Sequence, residues 1–370
     1  MSDSWPDDAE RQARARRWLA EGRPLTVGDG SALPCPPAAL RALQPQDPGV
    51  FAVVDGGLTG RVLGWSPGTA GASTGQPRYA IKQVWPRARV HNADGETAFV
   101  NELLRHAELA AARAAGVPLP GVLHALYGDL QLGLLVTPWI DGGPPDVADA
   151  RAVAQLFDTG VQLHLAGHFE WDWSPGNLLD DGRQVWLFDF GYQYRFDPLS
   201  RLNSGGDAAQ TRHHLAERLG ARWAHAALLQ RAVARGEAAA VDAFVGFQHT
   251  AIRATRQLAD ALAGRGAQAA VTATLRAWAA QAQPALDADP ASAWRAEAWT
   301  AHLHDIEDDL HGRSCTPMTL QRLAWLTEAL HAHGTALAAA GRLAPHSPDQ
   351  WRARLTTWQV DACRWQTTAP

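Results

Sequence analysis

Leu163–Leu179 reads LHLAGHFEWDWSPGNLL, and a few residues further Trp186–Gly191 reads WLFDFG. The first stretch leaves a helix-like apolar pattern at Gly167. It then sets Asp172 and Asn177 five apart in a loop broken by Pro175 and Gly176. The second is a short apolar run, read as a strand over Gln184–Phe188, that ends on Asp189-Phe190-Gly191. Two carboxylates and one amide thus lie in adjacent loops. Oxygen side chains of this kind suit a hard divalent cation, and a further carboxylate can orient a hydroxyl for attack.

Working toward the N-terminus, the texture is strand-rich. Val50–Val54 is an apolar run that stops at a Gly-rich turn, Gly56-Gly57-Leu58-Thr59-Gly60, and Arg61–Trp65 resumes it. Arg78–Trp85 is another strand and carries Lys82. Lys and Arg total 33, yet Lys82 is the single lysine, so arginine supplies all the other basic side chains. Arginine is a planar fork and lysine a compact point charge that fits between phosphate oxygens. A lone lysine inside a strand therefore marks a place where the fork does not serve. Ala93–Ala115 has apolar residues at helical spacing (Phe99, Leu103, Ala107, Ala110, Ala114), and Gly121–Tyr127 and Gln131–Thr137 read as two further strands.

Working toward the C-terminus, the chain turns helical after Gly142-Gly143-Pro144-Pro145, with Ala148–Ala166 as the first helix. Phe244, Phe247, Ala251, Ala254, Leu258 and Ala261 alternate steps of three and four, and Thr316-Pro317 is an N-cap and first turn for the helix of Leu323, Leu326 and Leu330. Before the strands, residues 9–21 read as an exposed helix followed by a Pro-rich stretch through Pro48. The expected division is an N-terminal extension at 1–49, a strand-rich lobe at 50–141 (the nucleotide-binding lobe of the resemblance described below) and a helical lobe at 142–370.

Composition bounds the function. A 370-residue chain with 46% hydrophobic residues exceeds one compact core, so two lobes are expected. A net charge of −5 with no basic stripe argues against nucleic acid as partner. The apolar runs fall short of a membrane span, and three scattered cysteines (Cys35, Cys315, Cys363) suit a reducing compartment, so the cytoplasm is expected.

Taken together, these motifs resemble the protein-kinase-like superfamily, nearest its aminoglycoside-phosphotransferase and choline-kinase branch. GGLTGRV (56–62) is similar to a phosphate loop, YAIK (79–82) to the strand lysine, and LVTPWIDG (135–142) to the hinge after the nucleotide-lining strand. LHLAGHFEWDWSPGNLL is similar to the catalytic loop and WLFDFG to the metal-binding strand end. The resemblance spans about residues 50–200. It implies an α+β bilobal fold: a small antiparallel-sheet lobe with one helix, then a large, mostly helical lobe. It implies ATP and Mg²⁺ as cofactors, with Gly56, Gly57 and Gly60 at the phosphates and Lys82 on the α/β-phosphates, paired with a helix glutamate. Glu102 is the first choice for that partner, with Glu96 and Glu108 on the same helix. Asp172 would take the acceptor proton, Asn177 and Asp189 would hold the metal, and the Pro138 carbonyl and Ile140 amide would face adenine.

Two positions depart from the pattern. Glu170 stands where the superfamily usually has His, two residues before the reacting Asp, and Gly60 replaces the branch's usual Asn. Ser174 stands where protein Ser/Thr kinases carry Lys, and no APE-like segment follows Gly191, which favours a small-molecule or glycan hydroxyl as acceptor. A protein Ser/Thr kinase, a pseudokinase and an AMP-transferring relative are the alternatives, and oligomeric state is not legible. Gly64-Trp65-Ser66-Pro67-Gly68 matches a hydrolase elbow only in letters, because Pro67 lacks the N–H that an oxyanion hole needs. His302/His304 and His331/His333 point their rings to different helix faces, which disfavours a shared ion. Of the sixteen tryptophans only Trp171 and Trp173 flank the reacting loop.

Overall fold

The computed structural model describes residues 8–55, 57, 59–68, 76–86, 89, 93–205 and 213–366. The chain runs α1 (Asp8–Ala20), β1 (Thr26–Gly28), α2 (Pro37–Ala42), β2 (Val50–Val54), β3 (Gly60–Trp65), β4 (Tyr79–Val84), α3 (Ala93–Ala114), β5 (Tyr127–Asp129) and β6 (Leu134–Pro138). Among the described residues six of these strands form one antiparallel sheet, in the order β1-β5-β6-β4-β3-β2.

Strand alternation gives the sheet two faces. Leu63, Ile81 and Val136 lie side by side across β3, β4 and β6, and they pack with Leu40 of α2 and with Leu134 and Tyr127. The next residues along, Val62, Lys82 and Leu135, are paired on the opposite face. There Leu135 meets Phe99 and Leu103 of α3 together with Val27 of β1. Lys82 therefore emerges on the face that α3 covers. This register, not proximity in sequence, brings it to a helix carboxylate.

The remainder is mostly helical: α4 (Ala150–Leu165), β7 (His168–Glu170), a 3₁₀ turn at Pro175–Asn177, β8 (Leu178–Asp180), β9 (Val185–Leu187), β10 (Gln193–Arg195), α5 (Leu215–Leu219), a π-helical turn at Gly220–Ala224, α6 (His225–Arg235), α7 (Glu237–Gly264), α8 (Ala269–Ala288), α9 (Pro290–Gly312), α10 (Pro317–Ala339) and α11 (Pro348–Arg364). Its core joins α4 to α7, with the Phe157 and Phe247 rings 5.5 Å apart, and takes in Leu178, Val185 and Leu187 of the small strands. Asp149 caps α4 by accepting the Arg151 amide, and Thr316 forms a capping box with Thr319 at the start of α10. The fold is α+β and bilobal, a sheet lobe with α3 beside a larger helical lobe.

Several local expectations give way to the structure. The Pro-rich stretch after α1 carries elements that the sequence did not assign: Thr26–Gly28 pairs with β5, and Leu40 of α2 is 1% exposed under the sheet. Of Gly121–Tyr127 only Tyr127 is in a strand, as the first residue of β5. Val122 makes a single bridge to Leu187, and Leu119 and Val122 turn into the helical core. Gln131–Gly133 is a turn, and the strand starts only at Leu134. Residues 168–170 and 193–195, to which the sequence assigns no strand, pair as β7 and β10. These pairs are short, and three residues are too few to show an alternating pattern.

Candidate active site

The site is assembled where the sheet meets the helical lobe. Lys82 Nζ is 2.8 Å from Glu102 Oε2 on α3 and 2.8 Å from Asp189 Oδ2, which follows β9. Glu102 is 2% exposed, Lys82 12% and Asp189 31%, so the ammonium bridges a buried and a reachable carboxylate. Burial opposes the Lys82 charge, but the fields of Asp189 and Glu102 outweigh it and raise the pKa, so the ammonium stays charged. Burial would likewise raise Asp189, yet Lys82 overrides it and the carboxyl is held below its ordinary range. Glu102 is pushed up to about 7 by burial first and by the Asp189 charge second, against the pull of Lys82.

Asp189 has φ +64°, the left-handed region that Asp tolerates better than most side chains. The kink turns its carboxylate out of the line of β9, where Val185 and Leu187 are buried and Trp186 points outward to Asp181. Asn101, next to Glu102 on α3, secures the same turn: its Nδ2 donates to the carbonyls of Phe190, Gly191 and Gln193 at 3.2, 2.8 and 2.9 Å. One helix thus grips both the lysine and the backbone that carries Asp189. Asn101 was missed in the sequence. A polar residue between Phe99 and Leu103 on a buried face was the signal.

Asp172 follows β7. Its Oδ2 accepts from Asn177 Nδ2 at 3.1 Å, and Asn177 Nδ2 also donates to the Asp172 carbonyl at 3.0 Å. With its nitrogen committed, the Asn177 side-chain oxygen is the atom left for a cation. Asp189 and Asn177 therefore offer two hard oxygen donors of the kind that suits a divalent cation such as Mg²⁺. Glu170, in place of the usual His, accepts the Asp172 amide N–H on Oε1 at 2.8 Å and faces Gln193 Nε2 with Oε2 at 3.4 Å. Burial raises its carboxyl to about 8, offset in part by the Asp172 amide and reinforced by the Asp172 and Asp189 charges.

The Gly turn between β2 and β3 is constrained. A Cβ on Gly57 would meet the Gly60 carbonyl oxygen at 2.3 Å, and one on Gly60 would meet the Gln83 oxygen at 2.6 Å. Gly56 lies outside the described residues. Pro138 ends β6, the Trp139 amide donates to the Arg78 carbonyl at 2.9 Å, and Ile140 follows half-buried. Trp173, read as site-adjacent, is 1% exposed in the helical core, so only Trp171 of that pair faces the site.

Beyond Asp172 opens a cavity of about 1140 Å³, walled by Trp171, Tyr192, Arg222 and His213 on the loop side and by Asp308 and Asp309 of α9 opposite. At its mouth, Gln12 of α1 donates to Asp94 Oδ2 at 3.1 Å, and the Tyr194 hydroxyl donates to Asp94 Oδ1 at 2.9 Å. His302 packs its ring on Trp325 while His304 lies 3.7 Å from Glu217, so these two histidines face different neighbours. Among the described residues no helix is long and apolar enough to cross a membrane.

No protein-family model matches the chain, and no curated protein matches it. Among solved structures it is similar to the structure of vaccinia related kinase 3, at 15% identity and a TM-score of 0.29. That match covers 46% of this chain and 58% of the kinase, so the chain spans little more than half of that protein's length.

Proposed function

We propose that the protein transfers the γ-phosphate of Mg-ATP to a hydroxyl group of a small molecule or glycan. The observation that carries this reading is the single lysine held 2.8 Å from both Glu102 and Asp189. In it, Lys82 neutralises the non-transferred phosphates, and Glu102 keeps the ammonium aimed. Gly57 and Gly60 let backbone approach the phosphates, with Gly56 assigned to the same turn, and the Pro138 carbonyl and Ile140 amide pair with adenine. Asp189 and Asn177 hold Mg²⁺, which when bound offsets the charge on the phosphate oxygens. Asp172 bonds the acceptor hydroxyl, fixes its oxygen for in-line attack and takes its proton.

A cavity in front of Asp172, walled by the reacting loop on one side and α9 on the other, favours an acceptor that is swallowed over an extended peptide laid on a surface. The test is incubation with Mg-ATP and a library of hydroxyl compounds, with products read by mass. A phosphate adduct supports the reading, an AMP adduct replaces it with nucleotidyl transfer, and ATP binding without any turnover makes the protein a pseudokinase.

A further inference from the structure

Two arginines one turn apart hold the segment that carries Asp172. Arg218 of α5 donates through Nε and Nη2 to the Trp171 carbonyl at 3.2 and 2.9 Å. Arg222, in the π-helical turn, donates through Nε and Nη2 to Asp172 Oδ1 at 3.3 and 3.1 Å. The third arm of the fork, Nη1, turns to Asp305 of α9, with Asp308 Oδ2 3.9 Å away. Asp305 is 2% exposed and also receives Arg322 of α10, so the far anchor is itself fixed.

The hydrogen bonds at Asp172 can be counted. An ionised carboxylate accepts about four hydrogen bonds, two per oxygen. Arg222 supplies both on Oδ1, and Asn177 supplies one on Oδ2. One position remains, on Oδ2. The terminal torsion of Asp is broad, so the carboxylate plane is set by partners and not by a rotamer well. A planar fork held at its other end sets that plane, and a lysine, with one nitrogen, cannot bond Oδ1 twice while reaching Asp305.

We propose that Arg222 is the positioning residue of the acceptor site: it saturates Asp172 Oδ1, leaves Oδ2 for the acceptor hydroxyl, and ties the base to the α9 wall through Asp305. This rests on the phosphotransferase reading. It makes the acceptor wall and the base one rigid unit.

The test compares Arg222→Gln, Arg222→Lys and Asp305→Asn with wild type in three measurements. These are affinity for a fluorescent ATP analogue, phosphate release from Mg-ATP with water as acceptor, and hydrogen exchange of the amides of 170–178. For Arg222→Gln the expected fall in kcat is on the order of 10²-fold, with analogue affinity within about twofold of wild type. Arg222→Lys should lose less, and exchange of the loop amides should rise in both. Asp305→Asn should move kcat in the same direction, and its combination with Arg222→Gln should be less than additive. Unchanged kcat and exchange in a folded variant would overturn the proposal, as would a loss of analogue affinity in step with kcat. If Arg222→Gln does not fold, the other two variants decide in the same terms. A wild type that does not bind the analogue sinks the phosphotransferase reading, and loop exchange still decides whether Arg222 positions Asp172.

Discussion

Glu170 Oε1 accepts the backbone N–H of Asp172 at 2.8 Å, so the side chain in the place of the usual histidine braces the loop through the main chain. The second oxygen faces Gln193, whose own side-chain oxygen is buried without a partner among the described residues. With the Gln193 amide turned so that its oxygen faces Glu170, a protonated Glu170 answers both neighbours: Oε1 still accepts the Asp172 amide, and the Oε2 hydroxyl donates to the Gln193 oxygen.

The carboxyl is therefore expected to be neutral at pH 7, and stability should follow its titration. Its pKa rises from 4.5 in the unfolded chain to about 8 in the fold. Between those values the folded state holds a proton that the unfolded state releases, so this contribution is full below pH 4.5 and is lost as pH rises through 8. Glu170→Gln, which mimics the neutral acid, should flatten the fall of Tm between pH 5 and 8, measured by calorimetry, and keep activity. Glu170→Ala strands the Asp172 amide at a cost of about 1–3 kcal/mol and should lower activity, while Glu170→His is tolerated. A pH profile of Glu170→Gln identical to wild type contradicts the neutral-acid assignment.

Asp172→Asn should lower kcat for phosphate release by orders of magnitude with little change in ATP affinity, since the carboxylate serves the acceptor. Steady-state kinetics beside a binding titration separates the two. Should ATP binding be what disappears, the residue belongs to the nucleotide side.

Asp189→Asn should leave the fold intact and abolish turnover, and ATP binding should no longer depend on Mg²⁺. Loss of the Asp189 charge should also bring the Glu102 carboxyl down from about 7, because that charge is its second largest upward influence. NMR titration of the Glu102 carboxyl reads this directly. Turnover at the wild-type rate would remove Asp189 from the metal site.

Glu102→Gln leaves Lys82 with Asp189 as its only described carboxylate partner within ion-pair distance. The ammonium should swing toward Asp189, and affinity for Mg-ATP should drop more than kcat does. Equal ATP affinity in the variant and wild type would leave Glu102 a structural partner alone.

Much of this site was legible because its parts are local. The five-residue step from Asp172 to Asn177, the strand ending on Asp189 and the solitary Lys82 each sit in a short run whose chemistry is visible without a fold. The choice among Glu96, Glu102 and Glu108 was not local. It depends on the register that puts Lys82 on the same sheet face as Leu135, against α3. Arg218 and Arg222 were invisible for a similar reason, since in an arginine-rich chain two helix arginines look like a solvated face, and only tertiary packing turns them toward Trp171 and Asp172. The short strands β7 and β10 are fixed by their mutual pairing beside the reacting loop, and intrinsic propensity over three residues carries little.

The most direct test of the account uses the chemistry of its one lysine. An amine-reactive ATP analogue, followed by peptide mapping, should modify Lys82, and excess Mg-ATP should suppress that labelling. The α-amino group of the chain is the other primary amine, and its labelling should be indifferent to ATP. Lys82→Arg should bind Mg-ATP weakly or unproductively, because a fork cannot sit where a point charge bridges phosphate oxygens. Labelling of Lys82 that ATP does not protect, or full activity in Lys82→Arg, would contradict the placement of the nucleotide phosphates against Lys82, Glu102 and Asp189.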